Sequence, residues 1–89
     1  MAALRKLTSN FIATEVDDEI LIVDLDGGEL FSLSGTGRAV WEAIDGTRDE
    51  AAIAALMAEQ FAGDREAIAA DVEAMIGQLA KAALVGLAG

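Results

Sequence analysis

The hydrophobic pattern of the chain changes near residue 34, and this change constrains the fold more than any other feature of its 89 residues. Before it, apolar and polar residues tend to follow the period of two that is typical of strands. After it, apolar residues recur three and four positions apart, as on one face of a helix. A chain of this length can bury one small core. The sequence therefore predicts one α+β domain in which the sheet comes first and the helices follow.

Three short strands are predicted in the first part of the chain, because its apolar runs are rich in β-branched and aromatic residues. They cover residues 11–16, 19–25 and 29–33. The polar pair Asp17-Asp18 separates the first two strands, and an Asp-Gly-Gly sequence at 26–28 supplies a tight hairpin between the second and the third. Strands that follow one another this closely form an antiparallel meander.

The third strand is predicted to be an edge of that sheet, since it ends the meander. Its period of two places Phe31 and Leu33 on one face and Leu30 and Ser32 on the other. An edge strand exposes N–H and C=O groups that either need protection or are available to another chain. The sequence thus indicates a surface suited to an extended peptide.

Three helices are predicted after residue 34, each from its own N-terminal signal. Ser34 can cap a helix to about residue 45, Thr47 with Glu50 forms a capping box for a helix to about residue 61, and Asp64 can cap a helix to about residue 83. The third helix carries an apolar stripe, made of Ile68, Val72, Met75, Ile76, Leu79 and Ala83. In a layered arrangement this stripe lies beside the third strand, so that the two elements border a groove.

The three-stranded antiparallel sheet followed by three helices resembles a winged-helix layout with its sheet moved to the front. We expect residues 1–10 to be a flexible N-terminal segment and residues 11–87 to form the domain. Those first ten residues lack the continuous apolar stretch of a secretory signal, and no apolar run approaches the ~18 residues of a membrane span. The expected location is the cytoplasm.

Charge and composition exclude several classes of function. Six Lys and Arg stand against 16 Asp and Glu, which gives a formal net charge of −10. Such a chain is poorly suited to nucleic acid or to an anionic membrane surface, both of which attract clustered Lys and Arg. It has no His and no Cys, so it lacks the usual general bases, thiol nucleophiles and transition-metal ligands. We expect no catalysis, no cofactor and no metal site.

Two short motifs suggest a ligand but lack the context that such a ligand requires. Gly35-Thr36-Gly37 opens a helix after a strand, as a dinucleotide fingerprint does, yet Val40 replaces the third glycine and no parallel strand follows. The acidic turn that begins at Asp24 fails the spacing of a calcium loop, which needs glycine at its sixth position and glutamate at its twelfth. Both segments are interpreted as structural turns.

An ordered set of motifs resembles the PqqD-like family, which includes the pyrroloquinoline quinone (PQQ) synthesis protein D and the recognition elements of ribosomally synthesised, post-translationally modified peptides (RiPPs). FSLSGTGRAVW at residues 31–41 is similar to the family pattern Y/F-x-L-N-x-T-G-x-x-I/V-W, and IDGT at 44–47 follows it. Residues 68–85 resemble I-x-x-D-V-x-x-F-L-x-x-L-x-x-x-G-L-V/I, with Met75 in place of phenylalanine and Ala83 in place of glycine. The resemblance covers roughly residues 11–86.

This resemblance implies a non-catalytic chaperone. In the family, the leader segment of a precursor peptide adds as a strand to the third strand, packs against the third helix and is presented to a modifying enzyme, which in the PQQ case is a radical enzyme. The peptide-binding residues expected here are Glu29, Leu30, Phe31, Ser32, Leu33, Asp71, Val72, Met75, Ile76 and Leu79. Periodicity leaves open which residues of the third helix face the groove and which face the core. On the third strand, Leu30 and Ser32 are expected in the groove rather than Phe31 and Leu33, which align with positions that the family buries. The acidic groove edge favours a leader with basic residues.

Four alternatives remain at this point. A protein–protein adaptor or regulatory module of the same fold would use the groove or the third helix on a folded partner. A degenerate winged-helix DNA binder is disfavoured by the charge, and an enzyme of unknown type ranks last. In addition, the exposed edge strand could pair two copies of the chain, so that a homodimer forms when no peptide is present.

Overall fold

The computed structural model describes residues 2–88, and over this range it confirms an α+β fold in which a three-stranded antiparallel sheet is followed by three helices. A short 3-10 turn lies at Thr8–Asn10. The other elements, in chain order, are β1 (Leu4–Lys6), β2 (Phe11–Val16), β3 (Glu19–Asp24), β4 (Leu30–Leu33), α1 (Gly35–Ala43), α2 (Glu50–Gln60), α3 (Arg65–Lys81) and β5 (Val85–Leu87). None of these helices is long and apolar enough to cross a lipid bilayer.

The main sheet has the strand order β2-β3-β4, as the meander predicts. Its β3–β4 turn is organised by Asp24, a buried carboxylate that is 7% exposed. The Oδ1 atom of Asp24 accepts a hydrogen bond from the N–H of Asp26 at 3.0 Å, and the carbonyl of Asp24 accepts one from the N–H of Gly28 at 2.8 Å. Gly28 has a φ of 70°, which glycine adopts at little cost. The turn fixes where β4 begins.

The two ends of the chain pair with each other, which differs from the flexible segment expected over residues 1–10. Leu4–Lys6 forms β1, which runs antiparallel to β5 and places Leu4 opposite Leu87. Leu4 is buried, and its N–H donates to the carbonyl of Arg48 at 2.8 Å. The domain therefore begins at Leu4 rather than at residue 11. Met1 lies outside the described residues.

The core fills the space between one face of the main sheet and the three helices. Its fully buried side chains come from β3, the three helices, the residue after α1 and the segment before β5; they are Ile22, Ile44, Ile53, Met57, Leu79, Leu84, Val40 and Val72. Trp41 of α1 packs edge-on against Phe11 of β2, with ring centroids 5.1 Å apart. The same ring lies 5.1 Å from the amine of Lys6, which donates to the carbonyl of Ile44. Burial lowers the pKa of the Lys6 amine.

The helix starts differ from the predicted caps in two places. Ser34 occupies the N-cap position of α1, but its side chain makes no capping hydrogen bond. Asp64 caps α3 as expected, since its Oδ1 accepts the N–H of Glu66 at 3.1 Å. The predicted capping box of Thr47 is wrong, because both the hydroxyl and the N–H of Thr47 bond to Asp45. Asp49 caps α2 instead, and its Oδ1 accepts the N–H of Ala52 at 2.8 Å. An acidic residue two positions nearer the helix therefore takes the role.

Helix α3 ends at Lys81, two residues before the predicted end, because Ala83 adopts a φ of 60°. This left-handed conformation brings the Cβ of an L-residue close to its own carbonyl oxygen and favours glycine. The structure thus gives a physical reason for the glycine that the PqqD-like pattern has at this position. In this chain the residue is alanine, which adopts the left-handed conformation at a cost in backbone strain.

Replacing Ala83 with glycine is expected to raise the free energy of unfolding by about 1 kcal/mol, since glycine adopts the left-handed conformation without that clash. Urea denaturation of the two proteins measures the difference. The matched control is Ala82→Gly at the preceding residue, whose φ is −83°. There glycine relieves no strain and only adds freedom to the unfolded chain, so stability should fall. Equal effects of the two substitutions would contradict the argument.

Candidate functional site

The free edge of β4 is the first component of the site. Strand β4 pairs with β3 and ends the strand order, so its other side has no strand partner within residues 2–88. The N–H of Asp24 donates to the carbonyl of Glu29 at 2.8 Å, which marks a hydrogen-bonded pair. Such pairs recur at every second residue of an antiparallel ladder, and the register makes Phe31 and Leu33 the next two on β4. These two residues direct their backbone groups toward β3.

The alternate residues of β4, Leu30 and Ser32, therefore direct their N–H and C=O groups away from β3. Their side chains lie on the face of the sheet opposite the helices. Leu30 is 62% exposed, and the Ser32 hydroxyl donates to the carboxylate of Glu19 at 3.0 Å. The backbone of these two residues can hydrogen-bond an added strand. Phe31 and Leu33, on the other face, are partly buried against the core. The side chains of Leu30 and Ser32 therefore do not border the helices, contrary to the expectation that they are the better groove residues.

The predicted residues of α3 separate into two groups. Val72, Ile76 and Leu79 are at most 5% exposed and belong to the core, so they present almost no surface to a ligand. Met75 is half-buried and Asp71 is exposed. Periodicity alone does not separate these groups, because all the apolar members lie on one broad stripe of the helix.

Met75 of α3 lies near the end of β4. A Cβ atom placed on Gly37 would lie 3.8 Å from the sulfur of Met75 and 3.8 Å from a terminal methyl carbon of Leu33. The first turn of α1, the end of β4 and the middle of α3 therefore meet at one apolar point. Asp71, one turn earlier on α3, is exposed beyond this point. Leu33 and Met75 thus both lie beside Gly37, and their part in peptide binding stays a prediction.

A groove of about 550 Å³ opens at the other end of β4, next to the end of α3. The sheet side is formed by Asp24, Glu29 and Phe31, and the helix side is formed by Gln78, Lys81 and Ala82. Four of these six residues, namely Asp24, Gln78, Lys81 and Ala82, are absent from the sequence prediction. A usable signal was present, because Gln78 and Ala82 follow Met75 by three and seven positions and share its side of the helix.

The charge of the sheet is of one sign. Residues 7–37 include no Lys or Arg and seven acidic residues, namely Glu15, Asp17, Asp18, Glu19, Asp24, Asp26 and Glu29. This segment therefore carries −7 of the formal net charge of −10. A ligand that approaches the edge of β4 meets a negative potential, which attracts cationic groups and repels anionic ones.

A second cavity, of about 310 Å³, lies between α1 and α2 and includes two arginines. Arg38 forms ion pairs with Glu15 and Glu42, and the hydrogen bond to Glu42 raises the pKa of its guanidinium. Arg48 pairs with Asp45 at 3.0 Å. Because each guanidinium already has carboxylate partners, this cavity is a poor anion site. The groove beside β4 is the better candidate.

Comparisons with known proteins agree with the fold. TbiB1, in a structure described as its complex with the TbiA(beta) leader peptide, is 22% identical over 94% of this chain and 99% of its own, with a TM-score of 0.78. A lasso peptide synthetase B1, solved with its leader peptide, is 16% identical over 96% of this chain and 99% of its own, with a TM-score of 0.79. No curated protein matches. The family model for coenzyme PQQ synthesis protein D (PqqD) matches residues 19–85, most of the chain, which therefore belongs to the PqqD family.

Proposed function

We propose that this protein binds the leader segment of a ribosomally made precursor peptide and presents it to a modifying enzyme in the cytoplasm. The observation that carries the proposal is the free edge of β4, with the outward backbone groups of Leu30 and Ser32. Membership of the PqqD family supports it. Two proteins of the same fold have been solved with leader peptides, which supports it further.

The peptide would bind by adding a strand to β4. Its backbone would hydrogen-bond with Leu30 and Ser32, and its alternate side chains would point toward the helices. On that side Phe31, Leu33 and Met75 offer partly buried apolar surface. We assign the core residues of α3 a supporting role, because they hold the helix at its distance from β4 without contacting the peptide themselves.

The proposed role requires no catalytic group in this chain. Binding by strand addition uses backbone hydrogen bonds and apolar contacts, which suits a chain without His or Cys. The chemistry would belong to the partner, and enzymes of the radical SAM class are one expected kind. The chaperone would hold the leader, and the rest of the precursor would stay free to enter the active site of the enzyme.

Titration of labelled protein with synthetic leader segments tests the proposal. The probes are leaders of short precursor reading frames near the gene, with the TbiA(beta) leader for comparison. We expect amide shifts at Leu30–Leu33 and on α3 near Met75 and Gln78. The amide of Ala13, on the edge strand β2 across the sheet, should stay unchanged. Shifts centred on β2 or α2, or no shifts with any leader, would overturn the proposal.

A folded protein partner is the second candidate, and one observation favours it. Ile12, Val23 and Leu30 are neighbours in register across β2, β3 and β4, and they are 58%, 40% and 62% exposed. This apolar row lies on the face of the sheet opposite the helices. An adaptor would dock through it, with no need for the free edge of β4. The titration separates the two functions, since only the peptide model shifts the β4 amides and α3 together.

The edge of β4 could also pair with a second copy of the chain when no peptide is present. Such pairing brings two sheets of charge −7 together, so their repulsion opposes it. The homodimer is therefore proposed as a state that salt promotes and leader peptide dissolves. Sedimentation at low and high ionic strength measures it.

A further inference from the structure

The cleft between β4 and α3 has two ends of different chemistry. At one end the apolar side chains of Leu33 and Met75 both lie beside Gly37. At the other end the groove of about 550 Å³ combines the carboxylates of Asp24 and Glu29 with the ring of Phe31. In a peptide strand beside β4, every second side chain would point toward the helices. Successive side chains of this set would reach the two ends of the cleft. The peptide residue at the apolar end should therefore be apolar, and the one at the acidic end should be polar or charged.

Asp24 contributes a buried carboxylate to the lining of the groove. The residue is 93% buried, as its exposure of 7% implies, and it lines the groove. Its Oδ1 is occupied by the N–H of Asp26, but no side chain or backbone donor within residues 2–88 bonds to Oδ2. Among those residues no fully buried side-chain oxygen lacks a partner, so Oδ2 keeps some exposure to solvent beside Gly27 of the turn. A buried carboxylate with a free oxygen in a cavity favours a ligand that donates hydrogen bonds.

The balance of charge in the groove favours a cation. Asp24 and Glu29 contribute two carboxylates, and the last carbonyl groups of α3 add the negative end of the helix dipole. Lys81 opposes them, but no ion pair within 4 Å joins it to either carboxylate within the described part of the chain. The surrounding segment 7–37 adds no positive charge. The groove thus stays negative although it includes an amine.

We propose that this groove is a specificity pocket for an arginine or lysine of the bound peptide. The basic residue would lie opposite Phe31, two positions from an apolar residue opposite Leu33. Its aliphatic stem would pack on the Phe31 ring, while its head group would donate to Asp24 Oδ2 and to the Glu29 carboxylate. This inference rests on the proposed function and deepens it, since it states which peptides the same edge should select.

The test uses isothermal titration of a peptide that binds in the amide-shift experiment. Each residue on its helix side is replaced in turn by arginine and by citrulline, which keeps the shape of arginine without its charge. We expect arginine at one position to bind about tenfold more tightly than citrulline, as a lost charge-assisted hydrogen bond predicts. Glu29→Gln and Asp24→Asn should each reduce this preference to about twofold or less, and Lys81→Met should increase it.

Glu59→Gln is the matched control, because it makes the same charge change on an exposed residue of α2. It should leave the arginine preference unchanged. Melting temperatures identify any variant that fails to fold; Glu29→Gln, at an exposed position, keeps the test valid if Asp24→Asn disturbs its turn. The inference is overturned if no helix-side position prefers arginine, or if Glu59→Gln weakens the preference as much as Glu29→Gln. Failure of every peptide to bind would instead overturn the proposed function.

Discussion

Ser32→Pro is expected to weaken leader-peptide binding by about tenfold or more, whereas Ala13→Pro should leave it unchanged. The N–H of Ser32 points away from β3 and would donate to the peptide. Proline removes that donor and places its ring where the added strand would approach. Loss of one backbone hydrogen bond plus this steric conflict accounts for the expected change.

Ala13→Pro is a matched control on the opposite edge of the same sheet. The N–H of Leu25 donates to the carbonyl of Asn10, so the alternating bonds of this ladder leave the N–H of Ala13 pointing outward from β2. Both substitutions thus remove an edge donor and keep the ladder within the sheet intact, a position where proline is tolerated. Isothermal titration measures affinity, and melting temperatures confirm folding. Equal affinity of the two folded variants would rule out strand addition at β4.

Ile22→Ala is expected to lower the free energy of unfolding by about 3–4 kcal/mol, the largest effect on stability that we predict. Ile22 lies in the central strand and is 0% exposed, so truncation leaves a cavity that its neighbours fill only in part. A domain of this size is stabilised by only about 4–13 kcal/mol in total. The variant should therefore lose a large share of its stability.

Ile12→Ala makes the same chemical change on the adjacent strand at a side chain that is 58% exposed. It should cost about 1 kcal/mol or less, most of it from the lower strand propensity of alanine. Urea denaturation compares the two variants, and unchanged m-values indicate that both unfold from the same compact state. Similar losses would mean that the helices do not cover the face of the sheet that includes Ile22.

The parts of the fold that the sequence predicts are those with a local cause. The strands β2 to β4 and their hairpin follow from alternation and from the Asp-Gly-Gly turn. The same period of two places Phe31 and Leu33 on one face, and the resemblance to the PqqD-like family indicates that this face is the buried one. Helix α3 follows from its apolar repeat and from the cap at Asp64. In each case the residues that determine the structure lie within a few positions of one another.

The parts that the sequence does not predict depend on distant contacts. Strand β1 has three residues and too little alternation to identify it, and its partner β5 follows about 80 positions later. Only the assembled core brings these segments together. Thr47 fails as a cap for a different reason: Asp45 competes for its hydroxyl and its N–H, and Asp49 offers an alternative acceptor nearer the helix.

For the candidate site, the edge strand was predictable from the sequence, but the residues of α3 that line the groove were not. The last strand of a meander is an edge by topology, so the residues of β4 follow directly. The exposure of each residue of α3 depends on the angle at which the helix crosses the sheet, which periodicity does not determine. As a result Val72, Ile76 and Leu79 are core residues, whereas Gln78, Lys81 and Ala82 line the groove.

The pairing of β1 with β5 has a consequence for how the domain can be joined to other proteins. Leu4 lies directly opposite Leu87, so the polypeptide enters and leaves the domain at one point of its surface. A second protein fused before β1 or after β5 would be tethered at nearly the same place. The domain could also be inserted whole into a surface loop of a host without stretching either connection, as close termini permit. The position of a fused protein relative to β4 is thus nearly the same whether it is encoded before or after this domain.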